Sequence, residues 1–256
     1  MSGTPIRWQS DRDGRLLRVY LARPRANIID AAMIAALDRV LADYAGDPAL
    51  LAVLLAADGP NFSFGASVEE HFPEHCRDML AGLHGLIRRM LGYPVPILVA
   101  VQGQCLGGGL ELALTGSLLY GAPDVCMGQP EIRIGVFAPA ASCLLPARLG
   151  QAHAEDLLYS GRSIGATEAL AMNLLHGVSD DPAAAALDWF DRHLAGLSAS
   201  SLRLAHEAAR VDYSSRVRAQ LDAVEKLYLE RLMATHDAVE GLKAFAEKRP
   251  PDWHNN

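Results

Sequence analysis

Val101-Gln102-Gly103-Gln104-Cys105-Leu106-Gly107-Gly108-Gly109-Leu110-Glu111 is the stretch from which the rest of the chain is read. It follows a continuous apolar run, Ile97–Val101, read as a buried strand, and it opens a helical pattern over Leu110–Thr115. A strand that passes through glycines into a helix points free backbone N–H groups, and the positive end of the helix dipole, at whatever sits above. Phosphate binding is the first reading to test, and the spacing fails it. G-x-x-x-x-G-K-[ST] needs Lys where Gly109 stands, and G-x-G-x-x-G meets Cys105 in place of its second glycine or Leu112 in place of its last. A purely architectural reading, in which the glycines only let the helix approach a neighbour, stays open. Three in a row at a helix start carry a large entropy cost for that purpose alone.

Two further features flank this junction. Phe62-Ser63-Phe64-Gly65-Ala66-Ser67 leaves a strand and offers a second amide cluster near Ala66. Ser67-Val68-Glu69-Glu70 matches the capping box S-x-x-E and predicts a helix start there. Glu111 and Glu131 are isolated acids in apolar company, where burial raises a carboxyl towards the range useful for proton transfer. The plainer alternatives are that Glu111 complements the helix dipole and that Glu131 pairs with Arg133.

Further out, Leu16–Leu21, Leu50–Leu55 and Val125–Met127 read as strands. Ile29–Tyr44 reads as a helix capped by Asp30, with Ile34, Leu37, Val40 and Leu41 on one face. Strands alternating with helices imply crossovers and a mainly parallel sheet. From about Pro182 the pattern becomes helical throughout: Ala183–Leu194, Ser200–Arg210, Arg216–Met233 and His236–Lys248.

At 256 residues the chain spans one or two domains of about 150 residues. Half of its residues are hydrophobic and 21% are charged, which excludes disordered and low-complexity classes. The net charge of −7, with basic residues scattered, argues against a nucleic-acid partner. No apolar run reaches the 18 or so residues of a membrane span, and Met1–Asp13 lacks the apolar stretch of a secretion signal. Cys76, Cys105, Cys126 and Cys143 stand too far apart for a zinc site or disulfide framework, so reduced thiols and a cytoplasmic location are expected. His71 and His75 are four apart, a spacing that can bind metal. No third ligand accompanies them, so no metal is expected and a solvated helix face is the reading.

Taken in order, the motifs resemble the crotonase superfamily, the enoyl-CoA hydratase/isomerase fold. Arg23-Pro24-Arg25-Ala26-Asn27 looks like its Arg-Pro…Asn segment, and Phe62–Glu70 is similar to its F-x-x-G-A-D-[IL]-x-E stretch. Gly103–Ala113 resembles G-x-x-x-G-G-G-x-E-L-A, Gly128–Ile132 resembles the second acidic motif, and Glu240–Arg249 resembles the closing helix. The resemblance implies an α/β fold: a spiral of β-β-α turns over residues 1–195, carrying the thioester and catalytic sites. A C-terminal helical region, 196–256, would serve trimerisation and part of the CoA site, giving a homotrimer or a dimer of trimers. It also implies that the N–H groups of Ala66 and Gly108 form an oxyanion hole for an acyl-CoA thioester. Glu111 and Glu131 become an acid/base pair holding a water, and Arg25, Ala26, Phe64, Gly65 and Lys248 lie along CoA. No cofactor is implied, because CoA belongs to the substrate. Many members that isomerise or hydrolyse lack one acid, so the retained pair favours a hydratase.

Two departures are informative. Ser67 stands where most members have Asp, and Gly135–Cys143 replaces the usual Pro-Gly-x-Gly-Gly-Thr stretch, which makes Phe137, Ala138 and Ala140 a candidate pocket wall. Phe62–His71 together with Val136–Ser142 looks like the members that hydrate a cyclic dienoyl-CoA in anaerobic aromatic (benzoyl-CoA) degradation. The rival readings are a straight-chain enoyl-CoA hydratase of β-oxidation, an enoyl-CoA isomerase and a non-catalytic RNA-binding member.

Overall fold

The strand expected at Leu16–Leu21 is present in the computed structural model of the chain, which describes residues 4–256. It is β2; Ile6–Asp11 (β1) runs antiparallel to it, with Ile6 opposite Leu21. The first strand was invisible to pattern reading because only Ile6 is buried, so there is no alternation to see. Helix α1 (Ala31–Ala45) follows, and the Asp30 carboxylate caps it by accepting from Met33 N, as expected.

Strand β3 covers Ala52–Ala57, two residues later than the apolar run suggested. Leu50 and Leu51 are buried, but the ladder is set by β2, whose six residues pair Leu16 with Ala52 through Leu21 with Ala57. The helix start expected at Ser67 is absent. Ser67 Oγ donates to Glu69 Oε2 (2.9 Å), one 3-10 turn covers Glu69–His71, and Phe72 is extended because Pro73 follows it. Helix α2 begins only at Cys76 and runs to Leu91. His71 therefore closes the short turn while His75 caps α2, and the two do not share a helix face.

Strand β4 (Ile97–Val101) is followed by β5 (Gln104–Leu106), α3 (Gly108–Leu114), β6 (Leu118–Gly121) and β7 (Cys126–Gly128). After a 3-10 turn at Pro130–Ile134 come α4 (Pro139–Leu149), α5 (Gln151–Ser160), β8 (Ser163–Gly165), α6 (Ala166–Ala171) and β9 (Gly177–Val178). The chain closes with α7 (Pro182–His193), α8 (Ala199–Glu230) and α9 (His236–Ala246). The two helices expected on either side of Val211–Ser215 are one helix, since no Gly or Pro interrupts that segment.

Two sheets result, in orders β1-β2-β3-β4-β6-β9 and β5-β7-β8. All pairings in the larger sheet except β1–β2 are parallel, as alternating strands and helices predict. The spiral arises because turns of chain place a first strand in the large sheet, a second in the small sheet, and then a helix: β4, β5 and α3 form one such turn. The large sheet is covered on both faces at its centre, which is why β3 and β4 read as unbroken apolar runs. Leu17, Val19, Val53 and Val99 pack with Leu37 of α1 and Leu83 of α2, while Leu16, Leu54, Leu98 and Tyr120 pack with Ala186 and Phe190 of α7. All four cysteines are free thiols. Among the described residues, no helix is long and apolar enough to cross a membrane.

Candidate active site

Backbone bonding carries Phe62–Ala66 alongside β5. Phe62 N donates to Gln102 O (2.8 Å), Ser63 N to Gln104 O (2.9 Å) and Leu106 N back to Ser63 O (3.0 Å). The buried Ser63 hydroxyl then fixes the next peptide, donating to Asn27 O (2.8 Å) and accepting from Gly65 N (3.0 Å). Gly65 turns the chain at φ +108°, a conformation that suits glycine. The following amide, Ala66 N–H, finds no acceptor among the described residues.

Gly108 approaches from the other side as the first residue of α3, where an N–H has no intrahelical partner. A methyl group on Gly108 would stand 3.1 Å from Ala66 N, so the two free amides are neighbours. Each glycine of the run admits a different group. A methyl on Gly107 would lie 2.5 Å from Glu131 Oε1, and one on Gly109 would lie 2.5 Å from Ser63 Cβ. Close packing and site construction, kept as alternatives above, are here the same fact.

Glu111 is buried in the first turn of α3, and its Oε1 accepts from Ala141 N at 2.8 Å. Burial pushes its carboxyl up to about 7, while the amides of Ala141 and Ala140, at the start of α4, pull the other way. Glu131, partly exposed in the 3-10 turn, is pushed up to about 8 by burial and then by the charge of Glu111. Both acids thus sit within one electrostatic neighbourhood and share a titration. Arg133 donates to Ser160 O (3.3 Å), so the plain ion-pair reading of Glu131 fails. The buried Gln129 amide, with its nitrogen turned to Glu131, lies 3.0 and 3.1 Å from the two carboxylate oxygens.

The remaining expected residues divide. Phe64 N donates to Ala26 O (2.9 Å) and Asn61 Nδ2 to Arg25 O (2.9 Å), so Arg25, Ala26, Phe64 and Gly65 form one rim, with Arg25 and Phe64 exposed. Lys248 lies in the exposed turn after α9, and no hydrogen bond ties it to that rim. Ala138 and Ala140 are buried at the start of α4, where the Ala140 backbone serves Glu111. Phe137 keeps a partly exposed side chain and meets the Tyr228 ring edge-on, with centroids 5.2 Å apart. Among the described residues no group of three His, Cys, Asp or Glu side chains could hold a metal. Sequence reading gave no role to Gln129 or Tyr228. Gln129 lies within the second acidic motif, Gly128–Ile132, and could have been found there, whereas Tyr228 is far from the motifs in sequence and meets Phe137 only because α8 folds back.

The arrangement suits a reaction that develops negative charge on a carbonyl oxygen while one proton is moved on and another off. Comparison with known proteins agrees. The chain matches the profile of the enoyl-CoA hydratase/isomerase family over residues 11–256. It is 63% identical over 254 residues to cyclohexa-1,5-dienecarbonyl-CoA hydratase of Thauera aromatica, covering 99% of this chain and 98% of that protein. It is 30% identical to carnitinyl-CoA dehydratase of Proteus mirabilis (strain HI4320), over 94% of this chain and 95% of the other. An enoyl-CoA hydratase/isomerase structure from Pseudoalteromonas atlantica T6c superposes with TM-score 0.85 at 27% identity, covering 97% of this chain and 99% of that one.

Proposed function

This chain belongs to the enoyl-CoA hydratase/isomerase family, and from that premise we propose that it adds water to cyclohexa-1,5-diene-1-carbonyl-CoA, giving 6-hydroxycyclohex-1-ene-1-carbonyl-CoA. The observation that carries the reaction type is the meeting of two free amides with two carboxyls, both held above the ordinary range, around the start of α3. The ring substrate follows from the similarity to the Thauera protein.

The chemistry of the diene fits two separate acids. Only attack at C2, conjugated with the thioester through C1, places negative charge on the thioester oxygen. The resulting dienolate extends from C1 through C6 to C5, and a proton added at C5 leaves the double bond between C1 and C6. Renumbered, this is the 6-hydroxy-1-ene product. Glu111, whose carboxylate is supported by Ala141 N–H, takes a proton from water as the water oxygen bonds C2. Glu131 supplies one to C5. The two ring carbons lie across the ring from each other, so one carboxyl could not readily serve both. The amides of Ala66 and Gly108 meet the developing oxyanion, an interaction in which one donor is worth about 3 kcal/mol.

In this reading Arg25, Ala26, Phe64, Gly65 and Lys248 contact CoA, and Phe137 lines the acyl pocket with the start of α4. CoA enters as part of the substrate and no separate cofactor is used. The protein works in the cytoplasm as a homotrimer or a dimer of trimers, with 196–256 as the assembling region.

Initial rates with the cyclic dienoyl-CoA and with crotonyl-CoA, followed by product mass, test the proposal. The expected result is a gain of one water on the ring thioester, with kcat/KM about tenfold or more above that for crotonyl-CoA. Equal or better turnover of crotonyl-CoA selects the straight-chain hydratase, a shifted double bond without mass gain selects the isomerase, and no turnover of either removes the enzyme reading.

A further inference from the structure

Tyr228 of α8 is fully enclosed, yet among the described residues no atom hydrogen-bonds its hydroxyl. Buried hydroxyls nearly always find a partner, and one left alone costs stability. The ring is held by Phe137 edge-on and by Met79, Leu80, Val136, Ala238 and Leu242. The phenol also feels the charges of Glu131 and Glu111 without bonding to either, and these charges add to burial in keeping it protonated. It is therefore a neutral donor packed against Val136, whose N–H donates to Glu131 O (3.2 Å), so it stands beside the turn that carries one of the two carboxyls.

The question is what such a donor meets during turnover. The acyl ring is hydrocarbon, and its thioester oxygen is committed to Ala66 and Gly108. The only other polar group that the reaction brings to this space is the water and the hydroxyl it becomes. We infer that the Tyr228 hydroxyl donates a hydrogen bond to that oxygen, orienting the attacking water and then recognising the hydroxyl of the product. Water offers two lone pairs: one bonds C2 while the other accepts from Tyr228, and its hydrogens remain for the carboxyls. No proton is transferred to or from the phenol. This inference rests on the hydratase reading above.

Tyr228→Phe removes the oxygen and keeps the ring and its contact with Phe137. Inhibition constants for cyclohexane-1-carbonyl-CoA and 2-hydroxycyclohexane-1-carbonyl-CoA, which differ only by the hydroxyl, are compared in the full-length wild type and the variant. The expected result is that the variant binds the hydroxylated ligand about fivefold more weakly and the other unchanged. kcat/KM should fall by a common factor in hydration and dehydration, and Tm should be unchanged or higher. Equal weakening of both ligands, no weakening of either, or a lowered Tm overturns the inference in favour of a packing role. If wild-type protein binds neither thioester, the acyl-CoA reading itself fails and takes this inference with it. If the wild type hydrates the ring normally and the substitution leaves the ratio of the two inhibition constants unchanged, only the role of Tyr228 falls.

Discussion

Both carboxyls are held above the ordinary range by burial, and they are differently supplied. Glu111 lies against the amides at the start of α4, whereas Glu131 faces the charge of Glu111 and has the neutral Gln129 amide beside it. With one proton on the pair as the proposed working form, activity should rise as the pair loses its first proton and fall as it loses its second, both steps above the ordinary carboxyl range. Glu111→Gln and Glu131→Gln should each lower kcat by about 10²- to 10⁴-fold with folding intact, measured on the ring thioester. Near-normal turnover in either variant removes that acid from the mechanism. Stability gives an independent reading. The folded-state value of Glu131 is raised from an ordinary 4.5, so folded protein binds a proton that unfolded protein releases, and stability drops as pH rises from about 4.5 to about 8. Glu131→Gln removes that loss. Its Tm should therefore gain on the wild type between pH 5 and pH 8, by roughly 2–4 °C per kcal/mol relieved. A difference that stays constant with pH would mean that the carboxyl ionises freely in the fold.

The start of α3 is the element on which these groups depend, and Gly108→Ala tests it. The added methyl would sit 3.1 Å from Ala66 N and 3.2 Å from Ala66 Cβ, wedging the two amides apart. kcat should fall by about 10²- to 10³-fold while the KM for the thioester changes little; unaltered kcat would show that the amides do not hold the oxyanion. This junction was legible in sequence because its strand, glycines and acid are contiguous. Ile97–Val101 was legible because burial on both faces leaves an unbroken apolar run, and Leu16–Leu21 because only Arg18 interrupts one. The helix start at Ser67 was misread because a capping pattern is local, whereas Pro73 decides where α2 can begin. Helices α4 to α6 gave little signal: α4 contains Pro146, and α6 is only 6 residues long. Glu111 and Glu131 stood out as lone acids among apolar neighbours, but the α4 amides that support Glu111 are brought to it only by the folded chain.

At the scale of the whole molecule, α8 is long for what it covers. It runs for 32 residues yet buries only Val217, Leu221 and Tyr228. Leu204 and Val211 lie 68% and 66% exposed, and a spacing of seven puts them on one face of the helix. Large apolar side chains aligned in this way on an exposed helix mark a surface meant to be covered, and the proposed trimer supplies the cover with a second copy of the chain. The His84–Glu225 bond (2.5 Å) and the Arg88–Asp222 pair (2.5 Å) anchor the C-terminal half of α8 to α2, and Arg210 Nη2, donating to Thr115 O (2.9 Å), anchors the N-terminal half, so that Leu204 and Val211 lie on its exposed side. Leu204→Glu with Val211→Glu should keep the fold, since neither side chain is in the core, and should shift the sedimenting mass from three or six chains to the single 27.5 kDa chain. Because the C-terminal region is also expected to carry part of the CoA site through Lys248, the dissociated variant should show a raised KM for the thioester, with a smaller change in kcat. A wild-type protein that already sediments as one chain, with unimpaired turnover, would leave the exposed face of α8 without this role and confine the active site to one protomer.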